Sequence, residues 1–487
     1  MKKGKFYITT TLPYVNANPH LGHAFELVEA DIIARFHRGL GDDVFFNTGT
    51  DEHGLKVYRK AQEKGEIIQN YCDSCADNFR KLQSTLNLSN DAFIRTTDNH
   101  HKESAQEFWR RSFQAGDIYK KNYKIKYCVG CELEKTDSDL EDGKCPDHPN
   151  LEIEIIEEEN YFFRLSKYQD KLLDFYEKNP SFVLPEKRFN EAKKFVESGL
   201  SDFSISRLKE KMPWGVQVPD DQDHVMYVWF DALVNYISTL GWPEDDKKFQ
   251  AFWPGVQLAG KDNLRQQAVM WQAMLMSVGL PNTIQVVIHG FITSGGKKMS
   301  KTVGNVINPF ETVDGYGTDA LRYYLAREVS PFEDSDFTED KFKEAYNANL
   351  ANGLGNLVSR IMKMFVAYEV AEDKKKFIFN DFKSFEVMVR GESYKEYREM
   401  MNNFEFGKVM DFAWGKIGEI DKQIQETQPF KLIKTDKEKA IDEVARLVGE
   451  LWSIANLLTP FMPETSHKIK EAIRANKIPE PLFLRKE

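Results

Sequence analysis

The N-terminal segment constrains the fold more than any other part of the chain. An apolar, β-branched run (KFYITTTL, residues 5–12) passes through a turn rich in proline, asparagine and glycine (YVNANPHLGH) into HAFELVEADIIARFHRGLG. In that last stretch Phe25, Val28, Ile32, Ile33 and Phe36 recur at steps of three and four, which predicts an amphipathic helix, and Gly39 and Gly41 end it. A second strand pattern, DDVFFNTGTDEHG, follows at once. Strand, helix, strand in so short a span predicts a βαβ unit and hence a parallel sheet, because parallel neighbours need a crossover. The same texture returns from residue 223, with HVMYVWFDALVNYI, VQLAGKDN, a helix AVMWQAMLMSVG and a strand IQVVIHGFI. Between the two halves, residues 115–165 hold three close-set cysteines and the acidic run Glu152–Glu159, as an insertion would. From residue 338 onward the periodicity is helical, as in FKEAYNANLANGLGNLVSRIMKMFVAY.

Composition narrows the class. A chain of 487 residues, 41% hydrophobic and 13% aromatic, has the mass for about three domains and is neither disordered nor collagen-like. No run of 18 apolar residues occurs, and the first ten residues, basic and then strand-like, lack the pattern of a secretory signal, so a cytoplasmic location and no membrane partner are expected. With 66 basic against 76 acidic residues the net charge is −10, which excludes a wholly basic nucleic-acid binder but leaves room for a local basic face.

Two motifs suggest phosphate chemistry. PHLGH, with His20, Gly22 and His23, stands where the first strand turns into its helix. A helix start offers unpaired N–H groups and partial positive charge, and a glycine lets a flat ligand approach the backbone. Two imidazoles three positions apart share a face and can donate to phosphate oxygens; the alternative is that one caps the turn and the other is packed. The second motif, GGKKMSKTVGN (295–305), sets Lys298 and Lys301 around Met299 and Ser300 after two glycines. Flexible ammonium groups suit charge that develops at an attacked phosphate, although a Lys cluster is also what a solvated loop looks like. Taken together they are expected to form two cationic clusters on opposite sides of one triphosphate.

The cysteines point to a metal. Cys128-x2-Cys131 and Cys145-x2-His148 are separated by 13 residues, a spacing that suits tetrahedral Zn²⁺ in a structural site with all four positions filled, the alternative being reduced thiols with no metal. Gly130 and Gly143 permit the tight turns. Cys72 and Cys75 lie in a helical run and have no second pair, so that CxxC reads as incidental.

PHLGH and KMSKT, in that order, resemble the paired signatures of class I aminoacyl-tRNA synthetases. TTTLPYVNANPHLGHA, NTGTDEHGLKV, FIRTTDNHH, NYFFRLS, DFSISR, YVWFDALVNYI, AGKDN and ALRYYLAREV resemble methionyl-tRNA synthetases over residues 5–365. The resemblance implies a Rossmann-like parallel-sheet catalytic domain (1–114 and 226–337, the second part with the KMSKT loop), split by a zinc-bearing connective insertion (115–225). An all-α anticodon-binding bundle (338–487) follows. It implies that His20, Gly22, His23, Lys298, Ser300 and Lys301 bind ATP, which brings Mg²⁺. His20, His23, Lys298 and Lys301 are then catalytic. Leu12, Tyr14, Asp51, Trp229, Ala232, Tyr236, Asp262 and Gln267 would hold methionine. Cys128, Cys131, Cys145 and His148 would hold one structural zinc. Asn356, Arg360 and Phe430 would contact the anticodon, with Asn352 on the same helical face. The expected partners are ATP, L-methionine and tRNA(Met), initiator tRNA included. No further module follows the bundle, so a monomer is expected.

Besides two mild changes in the signatures, Leu21 in the first and Thr302 for serine in the second, the chain departs from the family in two places. Gln267 stands where a histidine is usual, keeping a hydrogen-bonding group but not a titratable ring, and Phe430 replaces a tryptophan, keeping a stacking face but no N–H donor. Trp229 and Tyr236, seven apart, are spaced to share one face of a helix; the alternative for such aromatics is ordinary core packing. Arg207 is expected either to order the site or to form a structural salt bridge. The rival readings are a branched-chain enzyme, a cysteinyl enzyme and a catalytically degenerate tRNA-binding module. The insertion is too short for a branched-chain enzyme's editing domain. A cysteinyl enzyme would carry its metal at the substrate site. Intact PHLGH and KMSKT speak against the degenerate module.

Overall fold

A computed structural model of the protein describes residues 4–135, 137–299, 305–368, 370 and 383–487. Strands β1 (Lys5–Thr10), β2 (Asp43–Thr50) and β3 (Ala92–Arg95) come first. Then follow β4 (Ile118–Cys128), β5 (Leu133–Lys135), β6 (Glu154–Phe163), β7 (Val183–Leu184), β8 (Phe203–Ser204), β9 (Ser206–Leu208) and β10 (His224–Met226). The last are β11 (Val256–Gly260), β12 (Gln285–His289), β13 (Ile292–Ser294), β14 (Lys297–Lys298) and β15 (Ser335–Phe337).

The main sheet runs β3-β2-β1-β11-β12-β7, and every pairing in it is parallel. Chain order leads outward from β1 to β3 on one side and from β11 to β12 on the other. The crevice of such a sheet opens where those directions diverge, at the carboxyl ends of β1 and β11. There Thr10 is in register with Leu258, and the Thr11 N–H continues the ladder to the Leu258 carbonyl at 3.1 Å. The outer strand β7 comes from within the span 115–225, so part of that span completes the main sheet.

Helix α1 (Leu21–Gly39) buries the apolar positions that its period predicts. It also buries Glu26, Glu29 and Asp31, because it lies between the sheet and the C-terminal helices. Asp31 accepts from Arg35 at 2.7 Å and from the fully buried Arg322, also at 2.7 Å. Arg322 in turn donates to the carbonyls of Leu86, Pro460 and Phe461, tying α1 to the helical region that holds Phe406–Thr427, Lys437–Leu458 and Pro463–Ala475.

The inserted residues form an antiparallel sheet, β5-β4-β6-β8. The acidic run lies largely on β6, where lysines of β4 face it: Lys124 meets Glu157 at 3.2 Å and Lys120 meets Glu159 at 3.9 Å. Among the described residues no helix is long and apolar enough to cross a membrane.

Candidate functional site

The start of α1 is capped by its two histidines. His20 is the N-cap residue; its Nδ1 accepts the Gly22 N–H at 3.1 Å, and the Nδ1 of His23 accepts the His20 N–H at 3.2 Å. The rings stack with centroids 3.8 Å apart. Since both Nδ1 atoms accept, the ring protons reside on Nε2, and that edge is what each imidazole offers as a donor. Capping and ligand binding are therefore compatible uses of one ring. Burial and then the neighbouring His20 hold the His23 imidazole well below its usual range. Both effects favour the neutral form of His23, which presents an N–H to a ligand.

The second signature lies against the first. The β13–β14 hairpin turns through Gly295 and Gly296, both at positive φ (62° and 72°), and the chain then reaches Met299. Met299 is buried, with its Cε 3.8 Å from where a Cβ on Gly22 would stand. Further on, the Ile307 carbonyl accepts the Leu21 N–H at 3.1 Å. Both arms of the KMSKT loop therefore rest on the start of α1. Ser300 and Lys301 lie outside the described residues, and Lys298 is described through its backbone only. A cavity of about 530 Å³ opens beside them, lined by Asn18, Pro19, Asn78, Lys81, Val306, Asn308 and Phe310.

The other end of the crevice continues the β1–β2 ladder past the strands. Leu12 follows β1, half-buried. Tyr14 bridges to Asp51, the Val15 N–H donating to the Asp51 carbonyl at 3.1 Å and the Asp51 N–H to Pro13 at 3.0 Å. Burial, then the charge on Asp231, push the buried Asp51 carboxyl well above its usual range, a cost that a bound ammonium would cancel. Asp231 is wedged between His53 Nδ1 (2.6 Å) and His101 Nε2 (2.8 Å). Its burial is outweighed by those imidazoles, which hold its carboxyl at about 2.

Trp229 and Tyr236 fall on two short helices rather than one. The segment breaks into Val228–Ala232 and Asn235–Ser238, linked by turns in which Val234 N–H reaches only back to Asp231. Each ring has its own aromatic neighbour: Trp229 meets Tyr14 edge-on at 6.3 Å, and Tyr236 meets Trp271 at 5.8 Å. Ala232 is buried next to Trp229's turn. Gln267 sits in a π-helical turn, Gln266–Met270, and its Nε2 donates to the Tyr236 hydroxyl at 2.7 Å. The buried atoms Tyr14 Oη, Trp229 Nε1 and Gln267 Oε1 make no hydrogen bond among the described residues. Such atoms are what the polar groups of a bound ligand would satisfy. Asp262 is exposed after β11.

Several contributors are absent from the sequence reading. Glu26, six residues after His20, accepts the Thr11 N–H and hydroxyl at 2.6 Å each, locking the end of β1 to α1. Its second oxygen meets His289 Nε2 at 2.9 Å, while His289 Nδ1 faces the Gly290 carbonyl at 2.7 Å. Both ring nitrogens thus donate. Burial would depress His289, but the hydrogen bond and charge of Glu26 outweigh it and raise the imidazole to about 9. Glu29, buried behind them, is pushed by burial up to about 8. The three-residue spacing of His20, His23 and Glu26 on α1 was the available signal. Arg207 is buried over the rings of Tyr227 (4.6 Å) and Tyr127 (5.2 Å) and donates to Ser204 Oγ at 2.8 Å.

The predicted metal ligands converge. The ligand atoms of Cys128, Cys131, Cys145 and His148 all lie within 4.8 Å of one another. Cys131 and Cys145 Sγ are 3.4 Å apart, and His148 Nδ1 is 3.2 Å from Cys131 and 3.9 Å from Cys128. Metal–ligand bonds of about 2.0–2.3 Å around a tetrahedral ion require separations of about 3.5–3.8 Å, which these approach. At Gly130 any Cβ would stand 2.4 Å from the His148 ring, so only glycine allows the turn. Cys72 and Cys75 are buried in the helix Ile68–Thr85 and join no metal group among the described residues.

In the helical region Asn352, in a π-helical stretch, and Asn356 are exposed, and Arg360 pairs with Asp421 at 2.7 Å. The exposed Phe430 follows Pro429, whose carbonyl accepts the Tyr368 hydroxyl at 3.0 Å. The helix Asn356–Ala367 and the Pro429–Phe430 corner thus adjoin.

Residues 6–155 and 149–362 match the family model for class I tRNA synthetases of the M type. The methionine–tRNA ligase of Thermotoga maritima is 42% identical over 471 residues, 96% of this chain and 74% of that protein. The ligase of Caldanaerobacter subterraneus is also 42% identical, over 97% of this chain and 74% of its own length. Among solved structures, Mycobacterium tuberculosis methionyl-tRNA synthetase in complex with methionyl-adenylate superposes with a TM-score of 0.87 at 38% identity, covering 96% of this chain and 93% of that one.

Proposed function

This chain belongs to the methionine-type class I tRNA synthetases, and from that premise we propose that it is a methionine–tRNA ligase. The carboxylate of methionine attacks the α-phosphorus of ATP, pyrophosphate leaves, and methionyl-adenylate forms. A hydroxyl at the 3′ end of tRNA(Met) then attacks the acyl carbon and AMP leaves. No protein nucleophile is needed, so positioning and charge stabilisation supply the rate.

The observation that carries this reading is the seating of Met299 and Ile307 on Leu21 and Gly22, at the crevice whose other end is built on Tyr14 and Asp51. ATP enters as its Mg²⁺ complex. His20 and His23 offer Nε2–H groups to its phosphates, and Gly22 leaves the backbone open to them. Lys298, Ser300 and Lys301 meet the charge that develops. Asp51 receives the methionine ammonium, with Leu12 beside it. Tyr14, Trp229, Ala232 and Tyr236 enclose the thioether, a soft group best held by aromatic faces. Gln267 orients the Tyr236 hydroxyl, and Asp262 acts at the rim.

Cys128, Cys131, Cys145 and His148 would hold one structural Zn²⁺, which pins the knuckle and leaves no position for water. Asn356, Arg360 and Phe430 read and stack the anticodon of tRNA(Met), initiator tRNA included. We place the protein in the cytoplasm as a monomer. Methionine-dependent exchange of pyrophosphate into ATP tests the activity. Exchange with another amino acid but none with methionine would overturn it.

A further inference from the structure

Glu132 is the residue directly after the knuckle ligand Cys131, yet it does not stay with the knuckle. It is 1% exposed and adopts φ +53°, a left-handed conformation that a non-glycine residue keeps only when its surroundings demand it. Its side chain reaches the main body of the protein. Oε1 accepts the Lys56 N–H at 2.8 Å, Oε2 accepts the Tyr127 hydroxyl, and its backbone carbonyl accepts the Tyr227 hydroxyl. The fit at Gly54 is close: a Cβ there would stand 3.2 Å from Glu132 Oε1, and Gly54 itself is at φ +105°. Gly54 directly follows Asp51, Glu52 and His53, the turn that carries the proposed ammonium ligand, and Lys56 stands two residues further on.

Other contacts join the same two regions. Lys56 Nζ donates to the Gly130 carbonyl of the knuckle at 3.0 Å and lies 5.8 Å above the ring of Tyr14. Tyr127, Tyr227 and Val228 form one buried cluster, against which Tyr14, Val129 and Trp229 pack. The knuckle therefore backs onto two walls of the proposed methionine pocket, and Glu132 is the hydrogen-bonded pin between them.

We infer that Glu132 is a positioning residue for methionine. It transmits the fixed geometry of the Cys₃His knuckle to the Asp51–Lys56 turn and to Tyr14, without touching substrate. This deepens the methionine–ligase reading and rests on it.

The test uses the full-length zinc-loaded protein and the variants Glu132→Ala and Glu132→Gln. Glutamine keeps an oxygen for the Lys56 N–H and a polar atom for Tyr127, so it should bind methionine within about twofold of wild type. Alanine should raise the methionine KM in pyrophosphate exchange at least about tenfold, leave the ATP KM within about twofold, and weaken methionine binding measured without ATP through tryptophan fluorescence. Zinc content should remain one per chain in both. A methionine KM for Glu132→Ala within twofold of wild type overturns the inference. So does an equal loss for methionine and ATP, or a loss of zinc, since the side chain would then act on the knuckle or the whole fold. If Glu132→Ala cannot be purified folded, Tyr127→Phe decides: a methionine KM raised about two- to fivefold supports the pin, and an unchanged KM overturns it. Wild-type protein inactive with methionine would instead count against the ligase reading.

Discussion

Met299 sets its Cε 3.8 Å from the place where a side chain on Gly22 would begin, so the two lysine- and histidine-bearing signatures, distant in the chain, touch at a point where glycine leaves room. The His20 ring borders the same space, with its Cε1 only 3.0 Å from that point.

Gly22→Ala should therefore push His20 off its cap. Losing such a cap costs about 1 kcal/mol of stability. The larger effect should be on activation, because the displaced ring carries a proposed phosphate donor. We expect pyrophosphate exchange to fall about tenfold or more, with methionine affinity unchanged by fluorescence titration. A variant as fast as wild type would show that the contact at Gly22 is incidental.

Gln267→Leu removes the donor to the Tyr236 hydroxyl at similar volume. A buried hydroxyl stripped of its partner costs about 1–3 kcal/mol, so the methionine KM should rise roughly tenfold while the ATP KM holds. Steady-state exchange at varied methionine and varied ATP separates the two.

Two buried groups behind the site link stability to alkaline pH. Glu29 is raised to about 8 and His289 to about 9 in the folded protein. A raised pKa means that the folded state binds the proton more tightly than the unfolded state. The stabilisation is complete below the unfolded values, about 4.5 for a glutamate and 6.5 for a histidine, and is lost as pH climbs through the folded ones. Thermal stability should therefore decline between about pH 5 and 9. Glu29→Gln, neutral at every pH, should flatten the decline between about pH 5 and 8; melting curves across that range check it.

Arg322→Ala leaves Asp31 buried without its main counter-charge and strips the carbonyls of Leu86, Pro460 and Phe461 of their donor. Breaking a buried pair by removing one partner costs about 3–5 kcal/mol. The denaturation midpoint should fall accordingly, in a chain whose α1 and C-terminal helices no longer share that anchor.

Arg360→Ala breaks an exposed pair with Asp421, worth about 0–1 kcal/mol, so stability should barely move. The expected change is a raised KM for tRNA(Met) with unaltered pyrophosphate exchange, measured as aminoacylation against exchange on one preparation.

Elements with a strong period were readable in the linear chain. The apolar rhythm from Phe25 to Phe36 marks α1, and the Cys and His spacing marks a four-ligand cluster that the fold assembles. Short or irregular elements left no such trace. Val183–Leu184 is too brief to show a period, yet it closes one edge of the main sheet. The spacing of Trp229 and Tyr236 likewise says nothing of the turn between their two short helices.

Local order thus follows from side-chain pattern: which segments coil, which extend, and which residue types could hold phosphate, a thioether or a metal. Protonation and proximity are different, because they depend on groups far apart in the chain. Burial beside His20 lowers the His23 imidazole, Glu26 raises that of His289, and Glu132 leaves its knuckle to brace the turn beyond Asp51. Burial and distance set these energies, and neither exists until the chain has folded.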